Sequence, residues 1–247
     1  MTKTLGIIGA GAIGGIVARH AVDAGLNVVL SNSRDPETLS DVVSELGARA
    51  RAATPAEAAR SGDLVVATIP LVAYDKLPAV ALAGKTVIDT MNYYPERDGQ
   101  ISELDSGELT SSTLVQRHLA DSHVVKAFNN ISFRCLLTLA RPSGAPDRSA
   151  LPIAGDEPSA KAEVTELLDT LGFDTVDIGT LDESWRSEPN TPVYVYPYFP
   201  GLPPFGTGQE EVLRWVRETS GAPVPAHKVK ELAAGAVRGP VGGRFSY

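Results

Sequence analysis

Cysteine is almost missing from this 247-residue chain: Cys135 stands alone. That excludes an internal disulfide and any metal site built from several thiolates, and it suits a reducing compartment, so the cytoplasm is the expected location. Long apolar runs are missing too. No stretch approaches the ~18 uninterrupted apolar residues of a membrane span, and the apolar start, MTKTLGIIGAGAIGGIVARHAV, is broken by glycines and lacks a signal-peptide cleavage pattern. No membrane partner is expected. Positive charge is in deficit, with 22 Lys plus Arg against 30 Asp plus Glu and a formal net charge of −8. Such a chain offers no overall basic surface, so no nucleic-acid partner is expected. Histidines number four and form no cluster with carboxylates at metal-ligand spacing, so no metal is expected. No Ser-His-Asp arrangement, internal repeat or low-complexity tract is present.

What is there is the composition of a globular protein, 43% hydrophobic and 21% charged, long enough for one substantial α/β domain and a small appendage. Short apolar runs alternate with helical spacings. Thr4 to Gly9 predicts a strand, Ala12 to Ala24 a helix closed by Gly25, and Asn27 to Leu30 a second strand. A βαβ unit is complete within about 30 residues. Asp35 is placed to cap a helix with Pro36 in its first turn, running to Leu46, and Pro55 to Arg60 predicts a shorter one. Asp63 to Ile69, Lys85 to Asp89 and Ser122 to Ala127 predict parallel strands covered on both faces. After a loop at Arg141 to Asp147, Leu151 to Ala154, a helix over Pro158 to Leu171, and Thr175 to Ile178 extend the same sheet.

The pattern predicts an α/β fold, a Rossmann-type doubly wound, mostly parallel sheet, over residues 1–180. Residues 181–247 form a small Pro- and aromatic-rich C-terminal appendage. There Pro189, Pro192, Pro197, Pro200, Pro203 and Pro204 rule out a central strand. Tyr194, Tyr196, Tyr198 and Phe199 alternate as in an extended segment, suited equally to a lid over a substrate or to a dimer interface. Helices are predicted at Glu210 to Glu218 and Ala226 to Val237, before a Gly-rich terminus.

Between the first strand and helix, Gly9, Ala10, Gly11, Ala12, Ile13 and Gly14 spell GxGxxG. Gly9 makes the tight turn, Gly11 lets the backbone approach a pyrophosphate, and Gly14 allows close helix packing. The helix N-terminus turns unpaired N–H groups and a positive dipole end toward the phosphates. At the end of the second strand, Ser31 stands where an acid would select NAD. Ser31, Asn32, Ser33 and Arg34 offer hydroxyls and a guanidinium to a 2′-phosphate, so the expected cofactor is NADP(H). The alternative is that Asp35 swings in to meet the ribose and leaves Ser31 and Arg34 as a solvated loop. Tyr93 and Tyr94 follow a predicted strand end, where α/β folds place ligands, and ordinary loop packing is the alternative. His118 and His123 read as surface or capping residues, and Cys135 as part of a packed helix face.

With these residues in place, the chain resembles the coenzyme F420-dependent NADP oxidoreductases, its actinobacterial branch above all. The resemblance runs from about residue 4 to 195 through GIIGAGAIGG (6–15), SNSR (31–34), VVATIPLVAY (65–74), DTMNYYPERDG (89–99), VVKAFNNI (124–131) and LPIAGDEPSAK (151–161). It implies hydride transfer between the nicotinamide of NADPH and a deazaflavin ring, F420, stacked in a cleft. The family's pattern then assigns Thr68, Ile69 and Pro70 to the cofactor's ribose, Leu71 to ring packing, Asn92 and Ala127 to the cofactor, and Phe128, Asn129 and Asn130 to the hydride-transfer site. This sequence departs from archaeal members where Asn129 replaces histidine and where Asn92-Tyr93-Tyr94-Pro95 replaces an aliphatic stretch. A small-molecule hydride acceptor or donor and a homodimer are the expected partners. A reductase of a small carbonyl, imine or biosynthetic intermediate stands as the alternative, and a non-catalytic NADP(H) sensor as a third reading.

Overall fold

Runs of β-branched and small apolar residues, bounded by polar ones, become most of the eight strands of one sheet among the described residues. The computed structural model describes residues 2–203 and 208–241; Pro204 and the Gly-rich terminus from residue 242 onward lie outside the described residues. The chain begins with β1 (Thr4–Ile8), α1 (Ala12–Asp23), β2 (Asn27–Ser31), α2 (Ser40–Leu46), β3 (Ala50–Ala52), α3 (Pro55–Ser61) and β4 (Leu64–Ala67). It continues through α4 (Ala79–Leu82), β5 (Thr86–Asp89), α5 (Pro95–Asp98), α6 (Ser102–Asp105), α7 (Ser111–His118) and β6 (His123–Lys126). The remainder holds α8 (Phe133–Leu139), β7 (Ala150–Gly155), α9 (Pro158–Leu171), β8 (Asp174–Asp177), α10 (Gln209–Glu218) and α11 (Ala226–Ala234).

The strands lie in the order β3-β2-β1-β4-β5-β6-β7-β8. Strands β1 to β6 run parallel, β7 runs against β6, and β8 is parallel to β7. This is the doubly wound Rossmann-type sheet that the sequence predicts. Its order reverses between β1 and β4, and a sheet of this kind opens a crevice beyond the strand ends at such a point.

The two-residue period of the strands builds a core on each face. Leu5, Ile7, Leu30, Val66 and Val125 pack with Val17 of α1, Cys135 of α8 and Val164 of α9. Val65, Ala67, Val87 and Val124 turn the other way, toward Ala59 of α3 and Val115 of α7. Burying each such aliphatic side chain contributes about 1.5–3 kcal/mol. The C-terminal region joins the first core through Val193, Val195, Tyr198, Val216, Val224 and Val229.

Local signals explain several element ends. Thr54 and Glu57 close a capping box on α3, with Thr54 N donating to Glu57 Oε2 at 3.0 Å and Glu57 N to Thr54 Oγ1 at 3.3 Å. Pro158 opens α9, and Gly172, at φ 101°, ends it.

Three expectations are corrected, and one strand is added that the sequence reading did not anticipate. The helix after Asp35 is a 3₁₀ turn, Pro36–Leu39, followed by α2, and the Asp35 side chain makes no capping bond. The edge strand β3, with sequence ARA, has no apolar run to announce it. Helix α11 stops at Ala234, not Val237. The aromatic segment is not extended: Tyr196 N donates to Tyr194 O at 2.7 Å around Val195, and Tyr196–Tyr198 is a 3₁₀ turn.

Candidate functional site

Gly9 takes φ 110°, and a Cβ there would stand 2.1 Å from the Thr68 carbonyl oxygen. A Cβ at Gly14 would stand 2.0 Å from Gly9 O, so α1 rests directly on the turn. At Gly11 a Cβ would meet nothing within 4 Å: this residue faces open space, and α1 begins there without a side-chain cap. Unpaired first-turn N–H groups beside an open, Cβ-free backbone fit a dinucleotide pyrophosphate.

The loop after β2 divides its residues. Ser31 is buried, and its hydroxyl donates to Ile7 O at 3.1 Å while Gly9 N donates to Ser31 O at 2.9 Å, so Ser31 ties β2 to the glycine turn. Asn32 Oδ1 accepts from Arg34 N at 2.8 Å, and its Nδ2 donates to Thr38 Oγ1 at 2.9 Å. That Asx turn leaves Ser33, Arg34 and Asp35 exposed.

Beside the turn lies a cleft of about 320 Å³. Its floor is Gly11, Ala12 and Ile13, with Thr68, Ile69 and Pro70 from the end of β4. One wall is Thr90, Met91, Asn92, Tyr94 and Arg97 after β5; another is Phe128, Asn129 and Ile131 after β6; Tyr194 and Val195 complete it. Ala127 and Asn130 do not line it. Ala127 is buried at the end of β6, its N–H donating to Asp89 O at 3.1 Å. Asn130 is buried behind the wall, its Nδ2 donating to Val193 O at 3.1 Å and Tyr198 Oη at 3.0 Å.

Phe128 and Val195, both cleft residues, have positive φ, 60° and 59°. Side chains rarely take that region, at a cost of about 1–3 kcal/mol each. At Val195, ψ −61° and the bond from Tyr196 N to Tyr194 O define a γ-turn of the rare, strained hand. Val195 N donates to Asn130 O at 2.8 Å, which pins the turn to the β6 loop.

Asn129 is a tie between segments. Its Nδ2 donates to Asn92 Oδ1 at 3.2 Å and Ser187 O at 2.8 Å, its Oδ1 accepts from Ser187 Oγ at 3.3 Å, and Asn92 Nδ2 donates to Asn129 O at 2.8 Å. Both amide hydrogens are spent on the protein. The amide therefore fixes the β5 loop, the β6 loop and the chain after β8 against one another.

Sequence reasoning missed a buried network under the β5 loop. Lys126 Nζ donates to Asp89 Oδ2 at 3.1 Å, Met91 O at 2.5 Å and Ser111 Oγ at 2.9 Å, which uses all three hydrogens. Asp89 also accepts from Ser112 Oγ at 2.7 Å and Met91 N at 2.8 Å, and Glu188 from Ser111 Oγ at 2.6 Å. A lysine inside the buried run VVKA was the signal.

On the cleft wall Tyr94 and Tyr194 share a hydrogen bond between their hydroxyls. The Arg97 guanidinium lies 4.9 Å from the Tyr94 ring centroid and is held by Asp98 through bonds of 2.7 and 2.8 Å. Burial pushes the Tyr94 hydroxyl above the usual phenol range, while the Tyr194 bond and the Arg97 charge pull it back. Tyr93 points away, donating to Gly99 O at 3.1 Å and Asp105 Oδ1 at 2.8 Å. His118 sits on Leu77 O at 2.9 Å, away from the cleft. Cys135 is buried in α8, and burial pushes its thiol up to about 11. Among the described residues no group of three His, Cys, Asp or Glu is assembled for a metal, and no helix is long and apolar enough to cross a membrane.

Residues 4–93 match the family described as NADP oxidoreductase coenzyme F420-dependent. Over 179 residues the chain is 30% identical to the metalloreductase STEAP3 of Rattus norvegicus, covering 72% of this chain and 34% of that protein. Among solved structures, the hypothetical protein SMa0349 from Sinorhizobium meliloti superposes with a TM-score of 0.68 at 29% identity, over 78% of this chain and 93% of that one. A candidate F420-dependent NADP reductase from Arthrobacter sp. FB24 gives 0.62 at 24% identity, over 73% and 86%, a likeness of fold. The chain spans 39% and 34% of the lengths of the curated relatives it matches.

Proposed function

We propose, from the premise that residues 4–93 belong to the family of coenzyme F420-dependent NADP oxidoreductases, that this chain is an NADP(H)-dependent oxidoreductase passing a hydride between the nicotinamide and an F420-type deazaflavin. The observation that carries the reading is the cleft: an open glycine turn, strand ends at the switch point, and aromatic side chains among its lining. The turn Gly9–Gly14 would hold the pyrophosphate. Ser33 and Arg34, set out by the Asx turn with Ser31 behind them, would meet a 2′-phosphate. Thr68, Ile69, Pro70 and Asn92 would border the cofactor's nicotinamide half, with Phe128 and Asn129 at the transfer site and Ala127 and Asn130 behind it. Bound NADPH supplies the hydride. The protein's own part is to orient donor and acceptor and to exclude water.

A second reading is a reductase of small carbonyls or imines. The cleft favours it by size, since about 320 Å³ is at the small end of ligand sites. Mixing the protein with NADPH and oxidised F420 should bleach the deazaflavin absorbance. Unchanged absorbance, with NADPH oxidised by a small cyclic imine instead, selects the second reading. The single cysteine supports a cytoplasmic setting. Tyr196 and Leu202, exposed beside the aromatic segment, are the surface a second copy would cover in a homodimer.

A further inference from the structure

Reduction by hydride is incomplete until a heteroatom of the acceptor takes a proton, and few groups on the cleft have one to give. The hydroxyls of Thr68, Thr90 and Ser132 line the cleft, but an aliphatic hydroxyl is a far weaker acid than a phenol, and the Arg97 guanidinium does not give up its proton. The Asn92 and Asn129 amides are not acids, and no histidine lines the cleft. The Lys126 hydrogens are spent beneath the loop. What remains is the phenol pair, Tyr94 after β5 and Tyr194 in the γ-turn, both on the cleft wall and joined hydroxyl to hydroxyl.

We propose that Tyr94 is the proton donor that completes reduction of the acceptor, and that Tyr194 positions it and returns a proton to it. The proposal rests on the hydride-transfer reading of the cleft. Once the acceptor's electrophilic carbon has taken the hydride, the displaced π pair sits on the conjugated nitrogen or oxygen. That atom takes the proton of Tyr94: the Oη–H bond breaks, the new N–H or O–H bond forms, and a phenolate remains. Tyr194, half-buried and so in reach of water, gives its proton to the phenolate and is resupplied from solvent. One hydride and one proton reduce the acceptor by two electrons.

The surroundings suit a phenol that must hold its proton and then release it. Arg97, stacked on the Tyr94 ring, offsets the charge left on the phenolate, and Asn92 stands beside the hydroxyl. The opposing charge is Asp98, which accepts from Tyr94 N at 2.9 Å and is itself held by Arg97. A phenol is protonated at neutral pH without help; burial strengthens its hold on the proton, and the Tyr194 bond and the Arg97 charge oppose that.

The test uses Tyr94→Phe and Tyr194→Phe, which keep both rings. In ligand-free protein carrying ¹³C-labelled tyrosine, Tyr194→Phe should move the Tyr94 titration to higher pH; an unmoved titration overturns the pairing. Calorimetry should find NADPH affinity unchanged in both variants, which also reports that they fold. With oxidised F420 or 1-pyrroline as acceptor, Tyr94→Phe should lower kcat by about 100-fold or more with KM little changed, and remove the alkaline limb of the kcat profile. Turnover that survives Tyr94→Phe overturns the proposal alone. A wild-type protein that binds no NADPH, or reduces neither acceptor, overturns the hydride reading and the proposal with it.

Discussion

A charged side chain inside a buried strand has to be matched atom by atom, and Lys126 is: each of its hydrogens has an acceptor. Lys126→Met leaves Asp89 charged and buried, so urea unfolding should show a loss of about 3–5 kcal/mol. Arg34 is the opposite case, an exposed side chain with little to do in the fold. If it holds a 2′-phosphate, Arg34→Ala removes a charge-assisted bond of about 1.5–3 kcal/mol and weakens NADPH about 10- to 100-fold by calorimetry, with NADH unaffected. Equal losses for both cofactors would return the ribose to Asp35, whose carboxylate caps no helix. Cys135 sets a pH dependence. Burial raises its thiol from 9.0 to about 11, so the folded chain keeps a proton that the unfolded chain gives up. That contribution is whole below pH 9 and is lost as pH rises to about 11, so stability should fall across this window, and Cys135→Ala should flatten the fall. Residue types were readable in the sequence, but their commitments were not. Ser31 and Asn129 were read as facing ligands, and only three-dimensional neighbours show Ser31 turned to Ile7 and the Asn129 amide spent on Asn92 and Ser187.

At the scale of elements, the turn between β1 and α1 was fully legible, because GxGxxG after an apolar run has a mechanical meaning at each glycine. Gly14→Val should cost about 1–3 kcal/mol through overpacking and abolish NADPH binding, since the helix N-terminus must back away from Gly9; a variant that melts and binds like wild type would contradict this packing. Helix α9 was equally legible, with proline at one end and glycine at the other. The aromatic segment was misread because side-chain alternation resembles a strand, whereas Pro192, Pro197 and Pro200 cannot donate to a sheet. Local bonds took over instead: Tyr198 N donates to Val195 O at 3.1 Å and Phe199 N to Tyr196 O at 3.1 Å. Strand β3 escaped notice since an edge strand of three residues needs no hydrophobic run.

For the whole molecule, the doubly wound order follows from alternation of runs and helical spacings, and the position of the cleft follows from that order. The reversal of β7 against β6 did not follow, because a period of two carries no direction. Ligand linkage gives a global prediction. NADPH at about 100 times its dissociation constant stabilises by about 2.7 kcal/mol, which for a chain of this length raises Tm by about 5–10 °C. Thermal melts with NADPH and NADH at equal concentration then measure cofactor preference without any acceptor.

The γ-turn at Val195 has one more consequence. Its flanking Tyr194 lines the cleft, while its own valine and nearby Tyr198 are packed into the first core. Cleft lining and core packing are thus carried by the same few residues, so transplanting this stretch from a relative would put folding at risk along with the shape of the cleft.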